Sequence, residues 1–180
     1  MLKKNKKNYN KIKRFKVLKY FLSFIIIINI VLALSGERIK EEEIIIEASP
    51  SEVWETIKDL NKYVKYDNYK IEKEGSLFLN SSLKYIVKKD DKINNIVSSN
   101  LIYINPNKDL VQTGGIPGIL FYLNEISLNN KNGGTEVYIK TKETGLLVWI
   151  QNILTWDPTL PLLDTNIIKE ETLKRFPPLP

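Results

Sequence analysis

The residues that could carry out chemistry in this chain are limited by the absence of both histidine and cysteine. Without them there is no Ser-His-Asp or Cys-His relay, no disulfide and none of the usual zinc ligand sets. The side chain best suited to proton transfer near neutral pH is missing as well. Any catalysis would rest on carboxylates, Tyr, Lys and Arg, and the sequence predicts no catalytic residue, metal site or cofactor.

Two short motifs have simple structural explanations. Asp90-Asp91 lies between Lys88-Lys89 and Lys92, which is typical of a solvated turn between two strands. The segment Gly114–Gly118 lacks the Lys-Ser/Thr that completes a phosphate-binding loop, so we expect it to connect two strands. A flexible rim at the mouth of a pocket is the functional alternative for that segment.

Charge is distributed unevenly along the chain. The 180 residues carry 27 Lys and Arg against 21 Asp and Glu, but nine of the basic residues lie within the first 19 positions, which hold no acid. The remainder, with 18 basic and 21 acidic residues, is mildly acidic. This balance argues against nucleic-acid binding, and residues 1–19 are predicted to be a disordered basic segment.

Tyr20–Leu34 is almost wholly apolar and predicts a transmembrane helix or signal peptide over residues 20–35, followed by a linker at 36–41. With Phe15–Lys19 added, a helix of about twenty residues could span a bilayer. Alternatively, Ala33-Leu34-Ser35 fits a cleavage site, and the protein would be secreted after cleavage near Ser35. In both cases the positive-inside rule places the N-terminus in the cytoplasm and the domain outside.

The folded region opens with a strand and a helix. Ile44–Ile46 is a β-branched run that favours an edge strand. Ser49, Pro50 and Glu52 then form a capping box with proline at the first helical position, so a short amphipathic helix follows.

The middle of the chain predicts an antiparallel meander. Residues 60–69 are interpreted as a second short helix or turn. Turn residues then separate six apolar stretches, which predict strands at Tyr69–Glu74, Leu77–Lys89, Ile93–Asn105, Leu110–Thr113, Ile119–Leu128 and Thr135–Thr144. Both faces are apolar around Phe121–Asn124, so the pattern does not decide whether Phe121 or Tyr122 points inward.

The last segment changes to helical periodicity. Apolar residues recur every three or four positions at Trp149, Ile153, Trp156, Leu160, Leu163 and Ile167, which predicts one stripe on a long C-terminal helix. Pro158 and Pro161 predict a break in that helix, with Asp157 or Thr159 capping its second half.

The opening signature supports a family resemblance. The run Ala48–Trp54, with Asp59-Leu60 and Tyr63 behind it, resembles the start of the START-like or SRPBCC superfamily of polyketide cyclases and lipid-transfer domains. Gly133–Val137 also resembles the start of a late strand in that superfamily. The usual Trp-x-Pro is absent, and Tyr66-Asp67 stands in its place.

The resemblance implies an α+β helix-grip fold over residues 42–176, with a tail at 177–180. A bent antiparallel sheet would surround the long C-terminal helix and enclose a cavity between them. Five aromatic residues then become candidates for the cavity wall, although each could simply fill the core: Tyr85, Tyr103, Tyr122, Trp149 and Trp156.

The function implied is to carry or sense a hydrophobic small molecule or lipid at the outer face of a membrane. A cyclase- or dehydratase-like enzyme that uses the same cavity is one alternative. A tethered structural domain without a ligand is another. The sequence names no ligand and indicates no oligomeric state.

We expect the apolar helix to remain attached to the mature protein. N-terminal sequencing of material extracted from membranes should therefore return the start of the chain. A sequence beginning at Gly36 would instead mean that the leader is cleaved and the domain secreted.

Overall fold

The computed structural model describes residues 2–59, 62–66, 69–90, 92–131, 133–154 and 164–177. Four helices lie in these ranges: α1 (Leu2–Ser35), α2 (Pro50–Asp59), α3 (Leu146–Leu154) and α4 (Thr165–Arg175). Eight strands accompany them: β1 (Glu37–Ile46), β2 (Lys62–Tyr66), β3 (Tyr69–Glu74), β4 (Ser82–Lys89), β5 (Lys92–Asn105), β6 (Asp109–Ile116), β7 (Leu120–Lys131) and β8 (Gly134–Thr144).

All eight strands form one antiparallel sheet in the order β1-β8-β7-β6-β5-β4-β3-β2. The predicted meander is confirmed, and β1 is an edge strand as expected. Inward and outward residues alternate along the strands, so that Tyr122, Asn124, Ile126 and Leu128 of β7 are buried in turn. This alternation gives the curled sheet one concave, buried face.

The apolar core lies where α2 and α4 pack on the concave face. Val53 and Ile57 of α2 and Ile168 of α4 are buried there. Their partners come from the inward positions of the sheet, among them Ile46, Leu83, Tyr85, Leu101, Leu110, Ile126, Leu128, Val137 and Ile139. Burial of this apolar surface is the main stabilising contribution to the fold.

Helix α2 begins with the predicted capping box. The backbone N–H of Ser49 donates to Glu52 Oε2 at 2.7 Å, and the N–H of Glu52 lies 3.4 Å from Ser49 Oγ. The backbone N–H and hydroxyl of Ser49 hold the pKa of Glu52 below its ordinary value. Two N–H groups that would otherwise lack partners at the helix start are satisfied in this way.

The other end of α2 is capped by a buried lysine. Lys73 of β3 is 6% exposed, and its Nζ donates to the carbonyl oxygen of Lys58 at 2.8 Å. Burial lowers the pKa of Lys73 to about 8, against the opposing attraction of Asp59. A cation at a helix C-terminus is favourable for the helix dipole, which offsets part of the cost of burial.

Three expectations near the N-terminus need correction. Residues 62–66 are strand β2 rather than a helix or turn, because Tyr63, Val64 and Tyr66 favour a pleated strand. The expected linker at 36–41 belongs to β1, which begins at Glu37 and pairs with β8. Residues 2–19, expected to be disordered, continue α1, since Lys and Leu have high helix propensity.

The C-terminal region also differs from expectation. The described residues contain two short helices, α3 and α4, rather than one long helix. Asp164 caps α4 by accepting from the N–H of Asn166, so neither Asp157 nor Thr159 begins that helix. The predicted break at Pro158 and Pro161 lies outside the described residues, as do Trp156, Leu160 and Leu163 of the predicted stripe.

The buried face of α3 is not the predicted one. Val148 and Gln151 are buried, whereas Ile153 is exposed. Contacts outside the helix set this orientation, because the N–H of Leu146 donates to Gly118 O and the N–H of Leu147 to Ile119 O. The apolar periodicity of the sequence carries no information about these bonds.

Helix α1 is exposed along most of its described length, although it contacts α3 and β8. Residues 16–31 are all exposed, and most of those from Tyr20 onward are large and apolar. Within the ranges that the structure describes, no helix is both long and apolar enough to cross a membrane.

Replacing Ser49 with Ala should lower the free energy of unfolding by about 1 kcal/mol, because the start of α2 loses its cap. Urea denaturation measures this change. Ser76→Ala is the matched control, since it removes an exposed hydroxyl outside α2 and leaves the cap. Equal losses in the two variants would contradict the role given to Ser49.

The domain should become more stable as pH rises from about 8 towards 10. In this window folded Lys73 releases its proton, while the unfolded chain, with a pKa near 10.5, keeps it. Stability rises wherever the unfolded state binds more protons. Denaturation at several pH values should show this rise in the wild type and a smaller one in Lys73→Met. The raised pKa values of Tyr85 and Tyr122 oppose the trend only above pH 10.

Candidate functional site

A row of polar side chains crosses the concave face of the sheet. Ser99 of β5, Gln112 of β6, Asn124 of β7 and Thr141 of β8 occupy inward positions on neighbouring strands, and we call them the polar strip. Ser99, Gln112 and Asn124 are each at most 2% exposed. At the next inward positions of their strands, Ser99, Gln112 and Asn124 are flanked by apolar, aromatic or small residues, so the alternation that builds the core also buries these polar groups.

One end of the polar strip is a closed hydrogen-bond network. The hydroxyl of Tyr85 donates to Gln112 Oε1 at 2.7 Å, and Ser99 Oγ lies 3.3 Å from the same oxygen. Burial raises the pKa of Tyr85, so its hydroxyl stays protonated. Tyr85 can therefore act as a hydrogen-bond donor but not as a base near neutral pH.

The middle of the polar strip has an unused acceptor. Asn124 Nδ2 donates to Thr141 Oγ1 at 3.0 Å, while Asn124 Oδ1 is buried and finds no hydrogen-bond partner among the described residues. Such a group costs about 1–3 kcal/mol when it is removed from water without a partner. A buried carbonyl oxygen in this position is suited to receive a hydrogen bond from a ligand.

Tyr122 lies beside the polar strip on β7. Its hydroxyl donates to the backbone oxygen of Ser98 at 3.2 Å, and burial raises its pKa. The ring passes over Gly114, its partner on β6, where a Cβ atom would overlap the Tyr122 hydroxyl. The structure thus shows that Tyr122, rather than Phe121, points inward.

An ion pair links edge strand β1 to strand β8 next to Tyr122. Arg38 of β1 donates through Nε to Glu143 Oε2 of β8 at 2.7 Å, and its Nη2 contacts the same oxygen. The same Nη2 donates to Gln151 Oε1 of α3 at 3.0 Å. Because both charges are largely buried and paired, this group joins β1, β8 and α3 without leaving a free charge on the concave face.

The structure brings together some of the aromatic residues predicted for the cavity wall. Tyr85 and Tyr122 both face the concave side next to the polar strip. Trp149 is half-buried on α3, where its backbone packs against Gly36. Trp156 lies outside the described residues.

Among the aromatic residues predicted for the cavity wall, Tyr103 does not face the concave side. Its side chain is 48% exposed, because β5 contains a bulge between Leu101 and Tyr103. Leu101 faces inward before the bulge and Ile104 does so after it, so Tyr103 is turned to the convex face. An extra residue in a strand reverses the alternation beyond it.

The polar strip itself was not predicted from the sequence. Its signal is a polar residue at an inward position of an otherwise alternating strand, as in Leu110-Val111-Gln112 and Asn124-Glu125-Ile126. That signal can be used only when the inward face is known. The apolar residues on both faces of β7 concealed it.

No protein-family model and no curated protein sequence matches this chain. Among solved structures it is similar to norcoclaurine synthase from Thalictrum flavum, with a TM-score of 0.55 and 13% identity over 83% of this chain and 90% of that one. A point mutant of that synthase was solved in complex with a transition state analogue.

Two bacterial proteins are similar at the same level. Protein NE0264 from Nitrosomonas europaea has a TM-score of 0.57 and 13% identity over 76% of this chain and 94% of its own. Protein CV1439 from Chromobacterium violaceum has a TM-score of 0.52 and 11% identity over 76% and 92%. At such low identity the likeness shows the fold alone, and that fold is the helix-grip arrangement of a curled antiparallel sheet with helices.

Proposed function

We propose that this chain binds a hydrophobic small molecule or lipid that carries a polar group, and that it does so on the concave face of the sheet. The observation that carries the proposal is the buried Oδ1 of Asn124, which has no hydrogen-bond partner in the part of the chain that the structure describes. A ligand that donates a hydrogen bond to this atom would remove the cost of its burial.

The surroundings of Asn124 define the chemistry of the ligand. On one side, inward positions are apolar, with Leu110 on β6 and Ile126 on β7. On the other side, Tyr85 and Tyr122 contribute rings whose hydroxyls are already bonded. An aliphatic or ring-shaped body with a hydroxyl group fits both, since a hydroxyl can donate to the Asn124 amide oxygen or accept from its nitrogen.

We also propose that α1 attaches the domain to a membrane. Exposed apolar side chains surround α1 from Tyr20 to Val31, and basic residues precede them. A helix that is apolar on all sides is unfavourable in water. Recovery of the intact N-terminus from a membrane fraction, as described above, tests this attachment separately from ligand binding.

An enzyme that uses the same face is the second candidate. Two buried tyrosine hydroxyls on this face favour it. Both could donate hydrogen bonds to a developing negative charge if they released their present acceptors, Gln112 Oε1 and the backbone oxygen of Ser98. The fold shared with norcoclaurine synthase shows that this architecture can support catalysis. Recovery of a bound compound in chemically altered form would favour the enzyme over the carrier.

Replacing Asn124 with Leu should weaken binding of a long-chain alcohol about tenfold, because one hydrogen bond of about 1.4 kcal/mol is lost. Native mass spectrometry of the full chain titrated with hexadecanol measures this change. Hexadecane, which has no hydroxyl, should bind the wild type and the variant equally.

Asn100→Leu is the matched control, since Asn100 lies exposed on the same sheet and is expected to leave hexadecanol binding unchanged. Unfolding measurements check that Asn124→Leu remains folded, because the variant loses the hydrogen bond to Thr141 Oγ1 together with the buried amide oxygen. Wild-type chain that takes up neither compound would contradict the proposal and leave a structural domain.

A further inference from the structure

Three elements meet at the end of the domain from which α1 departs. The β6–β7 hairpin contacts α3, where the N–H of Leu146 donates to Gly118 O at 3.0 Å. The N–H of Gly145 donates to Gly36 O at 2.9 Å, directly after α1 ends. Large apolar residues of the hairpin and α3 therefore share one surface, which we call the end face: Ile116, Ile119, Leu147, Ile153 and Leu154.

The end face is exposed and uncharged. Ile116, Ile153 and Leu154 have exposed fractions of 61%, 59% and 61%. The sequence holds no charged residue from Thr113 to Leu123 or from Gly145 to Leu154. Large exposed apolar side chains grouped on neighbouring elements are typical of an interaction site in a folded protein.

The end face is continuous with the apolar part of α1. Helix α1 contacts α3, and its exposed apolar residues continue to Val31, about one and a half turns before Gly36. Its side chains are exposed around the whole circumference, which suits a surrounding lipid phase. A second copy of the chain would cover only one stripe of the helix.

We propose that the end face lies against the surface of a lipid bilayer, with the β6–β7 hairpin and the C-terminal turn of α3 inserted at the boundary between headgroups and acyl chains. This inference rests on the proposed attachment through α1. It adds that the domain docks on the membrane in one orientation, with the Arg38–Glu143–Gln151 group towards the lipid. Uncharged apolar side chains enter that boundary at little electrostatic cost.

The test uses the absence of cysteine from the chain. The full-length variants Ile119→Cys and Leu154→Cys, each labelled with a nitrobenzoxadiazole dye, are reconstituted with dioleoylphosphatidylcholine vesicles. We expect dye emission at both positions to brighten and shift to shorter wavelength. Asn107→Cys is the control, because Asn107 lies in the β5–β6 turn at the opposite end of the sheet, where emission should not change.

Each other outcome overturns the proposal in a distinguishable way. Variants that float with the vesicles while the dyes at positions 119 and 154 remain in water would refute docking but leave attachment intact. Variants that do not float would refute both. A shift that grows with protein concentration without vesicles would identify the end face as a contact between two copies. Circular dichroism of each labelled variant verifies that it is folded.

Discussion

The packing of α2 and α4 on one end of the concave sheet is the interaction on which the rest of the structure depends. Ile168 of α4 and Val53 and Ile57 of α2 fill the curl of the sheet with apolar side chains. Without these helices, the inward positions of the sheet would be exposed to water. Their burial also fixes which strand residues face inward, and thereby where the polar strip lies.

The position of the polar strip divides the concave face into a mainly apolar part and a more polar part. Towards α2 and α4 the inward positions are mostly apolar, with the bonded Lys73 and Thr135 as polar members, while towards α3 they include Gln112, Asn124 and Thr141. Buried polar groups add little stability even when they are bonded, and an unpartnered one reduces it. Within the described part of the strip, the contacts of the fold satisfy Ser99 and Gln112 but leave Asn124 Oδ1 without a partner, and the proposed ligand would satisfy that atom.

Local features of the sequence predicted local structure well. The capping box at Ser49 and the turns between strands depend on neighbouring residues, so their signals are contained in short segments. The bulge before Tyr103 and the buried face of α3 depend on partners that are distant in sequence. The first reverses the alternation of β5, and the second is set by backbone bonds to Gly118 and Ile119. Inward polar residues such as Asn124 could not be recognised before those partners were known.

Gly36 links α1 to the sheet with almost no slack. Its N–H continues the helix by donating to Leu32 O, and its carbonyl accepts from Gly145. A Cβ atom at this position would overlap Gly145 O and lie 2.7 Å from the backbone nitrogen of Trp149. These contacts leave the junction between α1 and the sheet little conformational freedom. A continuous series of contacts therefore leads from the end of α1 to α3, and through Gln151 to the guanidinium of Arg38 beside the concave face.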